Sequence, residues 1–420
     1  MRARLASATT RVVNTTSRRL GRGQGTVAGG RAGLRLDPRL LEHLSAGRQV
    51  ALVTGTNGKT TTTRLLTVAL GATGDAVVSN ETGSNMPPGH VAALAGTTAR
   101  RAVLETDEVY LPRVLTATAA STVLLLNLSR DQLDRTNEVR MIAGSWRAAL
   151  AAAPHTHVVA NADDPLVVWG AGAARDVHWV GAGMRWQHDA VGCPSCEGRI
   201  AFTGGGWSCA SCDFARPDPE ATLVVGVDGA ARAEWADGRT TPVTLALPGR
   251  FNQANALMAA VAAEASGVDA LVALAAMETV HEVAGRFTVR SFGDVRARLM
   301  LAKNPAGWDE LLDLVAGSDA PLVVSINARI ADGADPSWLW DVPFERLCGR
   351  AVVATGDRFR DLSVRLHYGG VRHSAEADPV RAITLAAAEG STATGAGGTD
   401  GVVDVIGNYT AFHDLLGAPA

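Results

Sequence analysis

The stretch that decides the fold is Thr54-Gly55-Thr56-Asn57-Gly58-Lys59-Thr60-Thr61-Thr62-Thr63, where two glycines and a lysine lead into a run of threonines. The apolar residues 50–53 precede it and are typical of a buried strand, whereas residues 64–70 follow it with the apolar spacing of a helix. A strand, a tight glycine turn and a helix start, in this order, predict an α/β domain that holds a phosphate chain at the turn.

Each residue type in this turn suits a nucleotide triphosphate. Gly55 and Gly58 let the backbone bend and approach phosphates, and the free N–H groups at the helix start point at negative charge. Lys59 supplies a positive charge, and the Thr60 hydroxyl suits Mg²⁺. The turn is shorter than the general phosphate-loop pattern, because Val53 stands where that pattern has its first glycine. We therefore expect ATP and Mg²⁺ as cofactors.

Length and composition indicate a multidomain enzyme. The chain has 420 residues, which is enough for two or three domains with their own cores. Its formal net charge of −3 gives no reason to expect nucleic acid as a partner. No uninterrupted apolar run reaches the roughly 18 residues of a membrane span. These features predict a soluble, cytoplasmic protein.

The first 45 residues form a basic lead-in. The first acidic residue is Asp37, and the arginines ahead of it include Arg2, Arg4, Arg11, Arg18 and Arg19. Such a run is usually a solvated, partly helical segment. A basic arm lying on anionic lipid, or an organelle transit peptide, has a similar composition. The sequence leaves these interpretations open, including peripheral contact with the inner face of the cell membrane.

Four of the five cysteines form two C-x-x-C pairs, Cys193 with Cys196 and Cys209 with Cys212. Two such pairs separated by a short loop can place four thiolates on a tetrahedron, which is the geometry of a structural Zn²⁺ site. Two disulfides or a redox pair are the alternatives, but the absence of an export signal argues against them. The pattern predicts a zinc ribbon inserted at about residues 188–218. Cys348 stands apart, and we expect it to be an ordinary buried thiol.

Polar residues follow three further apolar runs, at residues 102–104, 122–126 and 157–160. In open α/β sheets, functional groups gather at the carboxyl ends of the strands. The groups that follow these runs include Glu105, Asn127 and the pair Asp163 and Asp164. Carboxylates that face a phosphate loop can bind Mg²⁺, directly or through water. Taken singly, each could equally be a turn residue or a helix cap.

The strand and helix pattern divides the chain into two α/β domains. The first spans residues 46–285 and contains a long alanine-rich helix that ends near residue 265. The pattern restarts with new strands, which predicts a second domain at 286–420. Residues 390–400 are rich in Gly, Ser and Thr and are predicted to form a surface loop.

These motifs, in this order, resemble the Mur ligases and folylpolyglutamate synthases, over roughly residues 46–420. The resemblance rests on residues 55–61, Glu105, residues 127–135, residues 252–255 and Gly285-Arg286. It implies a Mur-ligase-type central ATPase domain with the zinc ribbon inserted, followed by a C-terminal α/β domain. Enzymes of this family use ATP to convert a carboxylate into an acyl phosphate, which an amine then attacks.

The resemblance also implies roles for single residues. Asn255 would contact the adenine, and Arg286 would approach the phosphates from the second domain. Thr60 and Glu105 would bind Mg²⁺. The remaining nucleotide contacts would come from Gly55, Thr56, Asn57, Gly58, Lys59 and Thr61.

Several departures from the family pattern narrow the prediction. Only about 45 residues precede the phosphate loop, so we expect the substrate not to be held through UDP. Gln132 stands where Mur ligases carry a magnesium-binding His, and residues 141–147 lack their carbamylated lysine. Lys303 lies where an acidic motif usually meets the ribose, and we expect it to supply a charge there.

With the ribbon and residues 331–341, these departures resemble the amidating members of the family, the ligase subunits of lipid II isoglutaminyl synthases. The resemblance implies ATP-dependent amidation of the α-carboxylate of D-glutamate in the stem peptide of lipid II. The ammonia would come from a separate glutaminase subunit of the GatD type, docked on the C-terminal domain. An aspartate of this chain would complete the Cys-His pair of that subunit, with Asp341 as the preferred candidate and Asp335 as the second. Alternatively, Trp338 and Trp340 are core residues and both aspartates cap turns.

Two other functions are each compatible with part of the sequence. A folylpolyglutamate-synthase-like enzyme would add an amino acid to a small molecule and would need no partner. A zinc-ribbon binding module with a degenerate nucleotide site would bind protein or nucleic acid without turnover, and the acidic net charge argues against the nucleic-acid version. The amidating ligase explains the loop, the ribbon and the missing lysine together.

Overall fold

The protein, represented by a computed structural model, folds into two compact units. The first contains Met1–Ser129 and Asn137–His281, and the second contains Glu282–Ala420. The structure describes residues 1–19, 26–80, 84–130, 138–226, 228–283, 285–393 and 402–418. Among these residues, no helix is both long enough and apolar enough to cross a membrane.

A sheet of nine strands forms the centre of the first unit. Its order is β11-β10-β9-β6-β5-β4-β1-β3-β2, parallel from β2 to β9 and antiparallel in the last three strands. The inner strands are apolar without alternation, because helices cover both faces of a parallel sheet. The strands are β1 (Gln49–Thr54), β2 (Val77–Ser79), β3 (Arg101–Glu105), β4 (Thr122–Leu125), β5 (His157–Asn161), β6 (Asp176–Gly181), β9 (Ala221–Val225), β10 (Ala231–Trp235) and β11 (Thr240–Pro242).

Helices α4 to α8 alternate with the strands, as the pattern predicts, whereas α1–α3 precede β1 and α9 and α10 follow β11. The core beneath them is built from fully buried side chains such as Leu52, Leu104 and Trp146. The helices are α1 (Arg2–Arg19), α2 (Thr26–Leu36), α3 (Leu40–Ser45), α4 (Lys59–Gly71), α5 (Pro87–Leu94), α6 (Leu111–Thr118), α7 (Glu138–Ala151), α8 (Pro165–Ala171), α9 (Arg250–Ala265) and α10 (Ala270–Met277).

The basic lead-in is folded and belongs to the first unit. Helix α1 packs on α2, and α2 packs on α5. The close approach depends on glycines, because a Cβ on Gly29 would lie 1.9 Å from Asn14 Oδ1 and one on Gly30 would lie 1.8 Å from the Pro88 carbonyl oxygen. Residues 1–19 and 26–45 are thus helices docked on the sheet domain.

The four paired cysteines lie in a small two-stranded insertion between β6 and β9. It contains β7 (Ile200–Thr203) and β8 (Gly206–Cys209), which pair in antiparallel fashion. Trp207 anchors this insertion, since its ring packs on Phe214 with a centroid distance of 5.0 Å and its Nε1–H donates to the Ala162 carbonyl at 3.0 Å. The ribbon therefore rests on the loop that follows β5.

The second unit is a six-stranded sheet with the order β12-β13-β17-β14-β15-β16, antiparallel only at β12. Its strands are β12 (Phe287–Phe292), β13 (Val295–Leu301), β14 (Leu322–Ser325), β15 (Val352–Thr355), β16 (His373–Ala375) and β17 (Val402–Gly407). Its helices are α11 (Pro305–Ala316), α12 (Phe359–Tyr368), α13 (Pro379–Ala393) and α14 (Tyr409–Gly417). The loop predicted at residues 390–400 is wrong for its first four residues, which continue α13, while residues 394–400 lie outside the described part.

Candidate active site

The phosphate loop is clamped to the end of the neighbouring strand β4. The Thr56 N–H donates to the Asn127 carbonyl at 3.0 Å, and the Asn57 N–H donates to Asn127 Oδ1 at 2.8 Å. Ser129 adds a further contact, because its N–H donates to Thr56 Oγ1 at 3.0 Å. A Cβ on Gly55, which has φ +143°, would lie 2.9 Å from Leu126. Asn127 thus fixes the loop, a role that the sequence did not reveal.

Helix α4 begins directly after the loop with its first N–H groups open. Gly58 has φ +84° and lies so close to α9 that a Cβ would meet Asn255 Oδ1 at 2.7 Å. The backbone N–H groups of Lys59, Thr60 and Thr61 donate to no acceptor among the described residues. Such groups at a helix start form a natural phosphate site. The structure therefore places Asn255 beside the loop.

Lys59 is 6% exposed and forms an ion pair with Glu108. Its Nζ donates to Glu108 Oε2 at 3.0 Å and to the Thr56 carbonyl at 3.2 Å. Glu108 is held in turn, because Trp146 Nε1–H donates to its backbone carbonyl at 2.9 Å. The sequence does not identify Glu108 as the partner of Lys59, since only the fold brings α7 and the loop to it.

Glu105 has the surroundings of a metal ligand. It is 8% exposed, and its carboxylate has no hydrogen bond or ion pair with any described residue. It pairs with Val53 across β1 and β3, next to the phosphate loop. The Thr60 hydroxyl at the loop likewise has no partner among the residues that the structure describes. A mostly buried carboxylate without a partner fits a bound Mg²⁺, which would offset its charge.

His90 holds the backbone of Glu105 from helix α5. Its Nε2 lies 2.8 Å from the Glu105 carbonyl oxygen, and Asn80 hydrogen-bonds both the N–H and the carbonyl of the same residue. The His90 ring is fully buried. Burial lowers the pKa of His90 to about 4, despite the opposing effect of the hydrogen bond to Glu105. The ring is thus neutral at pH 7 and donates through Nε2.

We expect this histidine to make folding stability depend on pH. The folded pKa lies below the ordinary value, so the stabilisation is complete above about pH 6.5 and is lost as the pH falls towards 4. The loss should reach roughly 3 kcal/mol. Urea unfolding at several pH values should show a flatter dependence for His90→Gln than for the wild type. His155→Gln, at an exposed position, is the control. Parallel curves for wild type and His90→Gln would contradict the assignment.

Asp163 and Asp164 have different roles after β5. Asp164 is fully buried, caps α8 by accepting the N–H groups of Leu166 and Val167, and accepts the Leu128 N–H at 2.8 Å. Burial raises its pKa to about 6 against these hydrogen bonds. Asp163 instead accepts the Gly183 N–H at 2.6 Å and Arg216 Nε–H at 2.7 Å. Asp164 is therefore a structural brace, as the helix-cap alternative predicts.

The cysteine ligand set is already assembled. The Sγ atoms of Cys193 and Cys212 are 3.8 Å apart, and those of Cys196 and Cys209 are 3.5 Å apart. A tetrahedron with Zn–S bonds of about 2.3 Å has edges of about 3.8 Å. All four sulfurs lie within 4.8 Å of one another, and none forms a disulfide. The Ser211 N–H donates to Cys209 Sγ and is the main cause that lowers the pKa of this thiol to about 7. The four residues fit a structural Zn²⁺.

A cavity of about 490 Å³ lies between the ribbon hairpin and the sheet. Its lining includes Gly204–Gly206 of the hairpin, Asp163 and the three arginines Arg185, Arg216 and Arg250. Arg250 comes from the first turn of α9, on a different side of that helix from Asn255, since five residues correspond to 140° of rotation. The ribbon therefore lines a cavity beside the sheet and also contacts the loop after β5.

In the second unit, Arg286 lies at the start of β12 with its guanidinium near His413. It is half-buried and has no acceptor among the described residues. Burial lowers the pKa of His413, and the Arg286 charge acts in the same direction. A cation of this kind is available to an anion.

The two candidate aspartates, Asp335 and Asp341, both lie in the segment from Ala331 to Asp341 but have different surroundings. The Asp335 carboxylate accepts the N–H and hydroxyl of Ser337 at 2.9 and 2.8 Å, and these bonds lower its pKa. The Asp341 carboxylate is exposed and has no partner among the described residues. Asp335 is thus a turn cap, whereas Asp341 is open to solvent.

The two tryptophans beside Asp341 also differ. Trp338 is buried against Trp308 at a centroid distance of 6.2 Å. Trp340 is 56% exposed and packs on the exposed ring of Tyr368 at 5.7 Å. The alternative that both are core residues therefore holds for Trp338 only. An exposed aromatic pair next to a free carboxylate is typical of a contact surface.

Four further sequence predictions concern Cys348, Gln132, residues 141–147 and Lys303. Cys348 is exposed, so its prediction as a buried thiol is wrong, because the turn after residue 347 carries it out of the core. Gln132 lies outside the described residues. Residues 141–147 lie within α7 and contain no lysine, and Lys303 lies between β13 and α11.

Comparison with known proteins gives the same family for both units. The Mur ligase middle domain model matches residues 53–189, and the MurT ligase C-terminal model matches residues 301–412. The MurT subunit of lipid II isoglutaminyl synthase (glutamine-hydrolyzing) from Streptococcus pneumoniae is 29% identical over 375 residues, 84% of this chain and 81% of that relative.

Two solved structures share the fold. A pseudomurein peptide ligase type C from Methanothermus fervidus is 19% identical with a TM-score of 0.65, over 90% of this chain and 81% of that one. Mycobacterium tuberculosis folylpolyglutamate synthase complexed with ADP is 16% identical with a TM-score of 0.61, over 90% of this chain and 93% of that one. With a matching model in each unit and a relative of the same type along most of its length, this chain belongs to the Mur ligase family and is a ligase of the MurT type.

Proposed function

We propose that this ligase amidates the α-carboxylate of D-glutamate in the stem peptide of lipid II and so forms D-isoglutamine. The similarity to MurT subunits of lipid II isoglutaminyl synthase over 84% of the chain carries this proposal. The assembled phosphate loop supports the use of ATP, since Lys59, the open N–H groups and Glu105 offer the charges that a nucleotide triphosphate with Mg²⁺ needs.

The chemistry follows from these groups. The carboxylate attacks the γ-phosphorus of ATP, so an acyl phosphate forms and ADP leaves. Ammonia then attacks the acyl carbon, loses a proton and displaces phosphate, which gives the amide. Lys59 would offset charge on the transferring phosphoryl group, and Thr60 and Glu105 would hold the Mg²⁺ that shares this task. Asn255 and Arg286 would bind the nucleotide from α9 and from the second unit.

The ammonia would come from a glutaminase subunit of the GatD type, which would bind the second unit. Ammonia is mostly protonated at neutral pH, so a source close to the acyl phosphate is an advantage. Cys348 has no histidine partner among the described residues, and its Sγ–H donates to the Gly369 carbonyl at 3.2 Å. Asp341, open to solvent beside Trp340, is our candidate for the group that completes the partner's Cys-His pair.

The direct test is amidation of lipid II by the co-purified subunits. The ligase is mixed with a GatD-type glutaminase, lipid II, ATP, Mg²⁺ and glutamine, and the product is analysed by mass spectrometry. Replacing OH by NH₂ lowers the mass by about one dalton, located at D-glutamate by fragmentation. ATP hydrolysis without a mass change at D-glutamate would refute the proposal.

Asp341→Asn should separate the two half-reactions. We expect glutamine-dependent amidation to fall by about 10²-fold or more, since a triad carboxylate orients the histidine. Amidation with added ammonium chloride should stay within about twofold, because the ligase site is untouched. Asp335→Asn is the matched control and should keep both activities, because Asp335 is a turn cap. Equal loss of both activities in Asp341→Asn would remove it from the glutaminase reaction.

The alternative is an amino-acid ligase of the folylpolyglutamate-synthase type. It is favoured by one observation, the match of this fold to 93% of the M. tuberculosis folylpolyglutamate synthase structure. Such an enzyme would incorporate radiolabelled glutamate into a small acceptor without a partner. Incorporation of glutamate, with no amidation in the presence of the glutaminase, would select this alternative.

A further inference from the structure

We propose that the outer face of helix α1 binds the surface of an anionic membrane and thereby brings the ligase to its substrate. The inference deepens the proposed function, because lipid II is lipid-linked. It rests on the way in which the N-terminal helices fold. The sequence alone did not decide whether this basic lead-in is a solvated segment or a lipid-binding arm.

Helix α1 has two faces with opposite character. Ala6, Thr10 and Asn14, spaced by four residues, are buried against the rest of the unit. Leu5 and Val12, spaced by seven residues, are 63% and 64% exposed on the other side. The face that packs on the protein thus consists of small and polar side chains, whereas two aliphatic side chains point to solvent. This is the reverse of an ordinary surface helix, whose apolar face covers the core.

Arginines surround the exposed aliphatic side chains. Arg19 continues the line of Leu5 and Val12 at the same spacing of seven, and Arg4 and Arg11 form the adjacent line. All three arginines are exposed. The chain carries no acidic residue before Asp37, although its net charge is −3. Apolar side chains set among arginines without acids are typical of helices that lie at an anionic lipid interface.

The rest of the unit holds this helix firmly. Arg2 Nε–H donates to the Leu36 carbonyl at the end of α2, and Gly29 lets α1 and α2 approach closely. Helix α2 packs on α5, whose His90 holds the backbone of Glu105. The exposed face of α1 is therefore fixed to the same unit as the phosphate loop. The interleaved Leu5 and Val12 favour lipid over nucleic acid, which would gain nothing from aliphatic side chains.

The test uses the full chain and vesicles of phosphatidylcholine with or without one-quarter phosphatidylglycerol, in a sedimentation assay. The wild type should bind only the anionic vesicles, and less at high salt. Arg4→Glu/Arg11→Glu should weaken binding by at least about 25-fold, since each arginine contributes about a fivefold factor. Leu5→Ser/Val12→Ser should weaken it by about tenfold or more.

Matched controls come from exposed positions elsewhere in the unit. Arg100→Glu/Arg113→Glu repeats the charge change, and Leu271→Ser/Val272→Ser repeats the apolar change at side chains that are 56% and 46% exposed. Both controls should bind vesicles like the wild type. Equal binding to neutral vesicles, or equal losses in variants and controls, would overturn the proposal. So would unchanged vesicle binding in Arg4→Glu/Arg11→Glu together with lost binding of a single-stranded oligonucleotide.

Amidation assays separate this inference from the proposed function. Arg4→Glu/Arg11→Glu should keep its activity on a water-soluble stem-peptide acceptor and lose activity on lipid II in anionic vesicles. If no acceptor is amidated by the wild type, the proposed function fails while vesicle binding can still be measured. If amidation occurs but the vesicle assays fail, only the membrane inference is wrong.

Discussion

Replacing Lys59 should lower ATP-dependent amidation by about 10³-fold or more, because this ammonium is the one cation of the phosphate loop and offsets charge on the transferring phosphoryl group. The structure adds a complication, since Lys59→Ala leaves the largely buried Glu108 carboxylate without its partner. An unpaired buried charge can destabilise a fold by several kcal/mol. Lost activity in Lys59→Ala alone could therefore reflect unfolding.

A second variant removes this ambiguity. Lys59→Met combined with Glu108→Gln keeps the volume of both side chains and leaves no unpaired charge. We expect this double variant to unfold at a temperature near that of the wild type and still to lack amidation. Glu108→Gln alone is the control and should keep most of its activity, since Lys59 remains. Amidation by a folded Lys59→Met/Glu108→Gln variant would remove the phosphate loop from the mechanism.

Cys196→Ser should abolish zinc binding and destabilise the ribbon. The purified wild type should contain about one Zn²⁺ per chain, measured by plasma emission spectrometry, and the variant close to none. Cys196 is exposed, so the substitution removes no core packing and any loss of stability is due to the metal. We expect faster proteolysis within the ribbon and a lower unfolding temperature.

Cys348→Ser is the matched control for this experiment. Cys348 is also an exposed cysteine, but it lies in the second unit and away from the other four. Its replacement should change neither the zinc content nor the unfolding temperature. A wild type that is free of metal and equally stable after treatment with a chelator would contradict the zinc assignment.

Local patterns predicted the elements that carry the site. The glycines and lysine of the phosphate loop, the apolar run of β1 and the first turns of α4 all depend on neighbours in sequence, so their structure could be read directly. The cysteine pairs were equally clear, because a metal tetrahedron needs a fixed ligand spacing that few other structures produce. The absence of the Mur-ligase lysine from α7 could also be recognised, because it depends only on which residues stand at positions 141–147.

Contacts between distant segments could not be predicted. Glu108 and Lys59 are 49 residues apart, and Asn127 reaches the loop from 70 residues away. Whether a polar side chain after a strand caps a turn or faces a ligand depends on what the fold places opposite it. Asp164 and Asp335 accept local N–H groups, whereas Glu105 and Asp341 are left open. In the sequence, all four are carboxylates close to the end of a predicted strand or in a loop, so the sequence cannot tell the capping residues from the open ones.

The sequence by itself determined that this protein is an α/β ligase with a phosphate loop and a ribbon of four cysteines, because short-range spacing is sufficient for both motifs. The tertiary structure decided which carboxylates are open, that Lys59 is paired with Glu108, and that α1 turns its small residues inward and its arginines and aliphatic side chains outward. Burial and long-range pairing depend on the whole packed chain, so no local pattern encodes them.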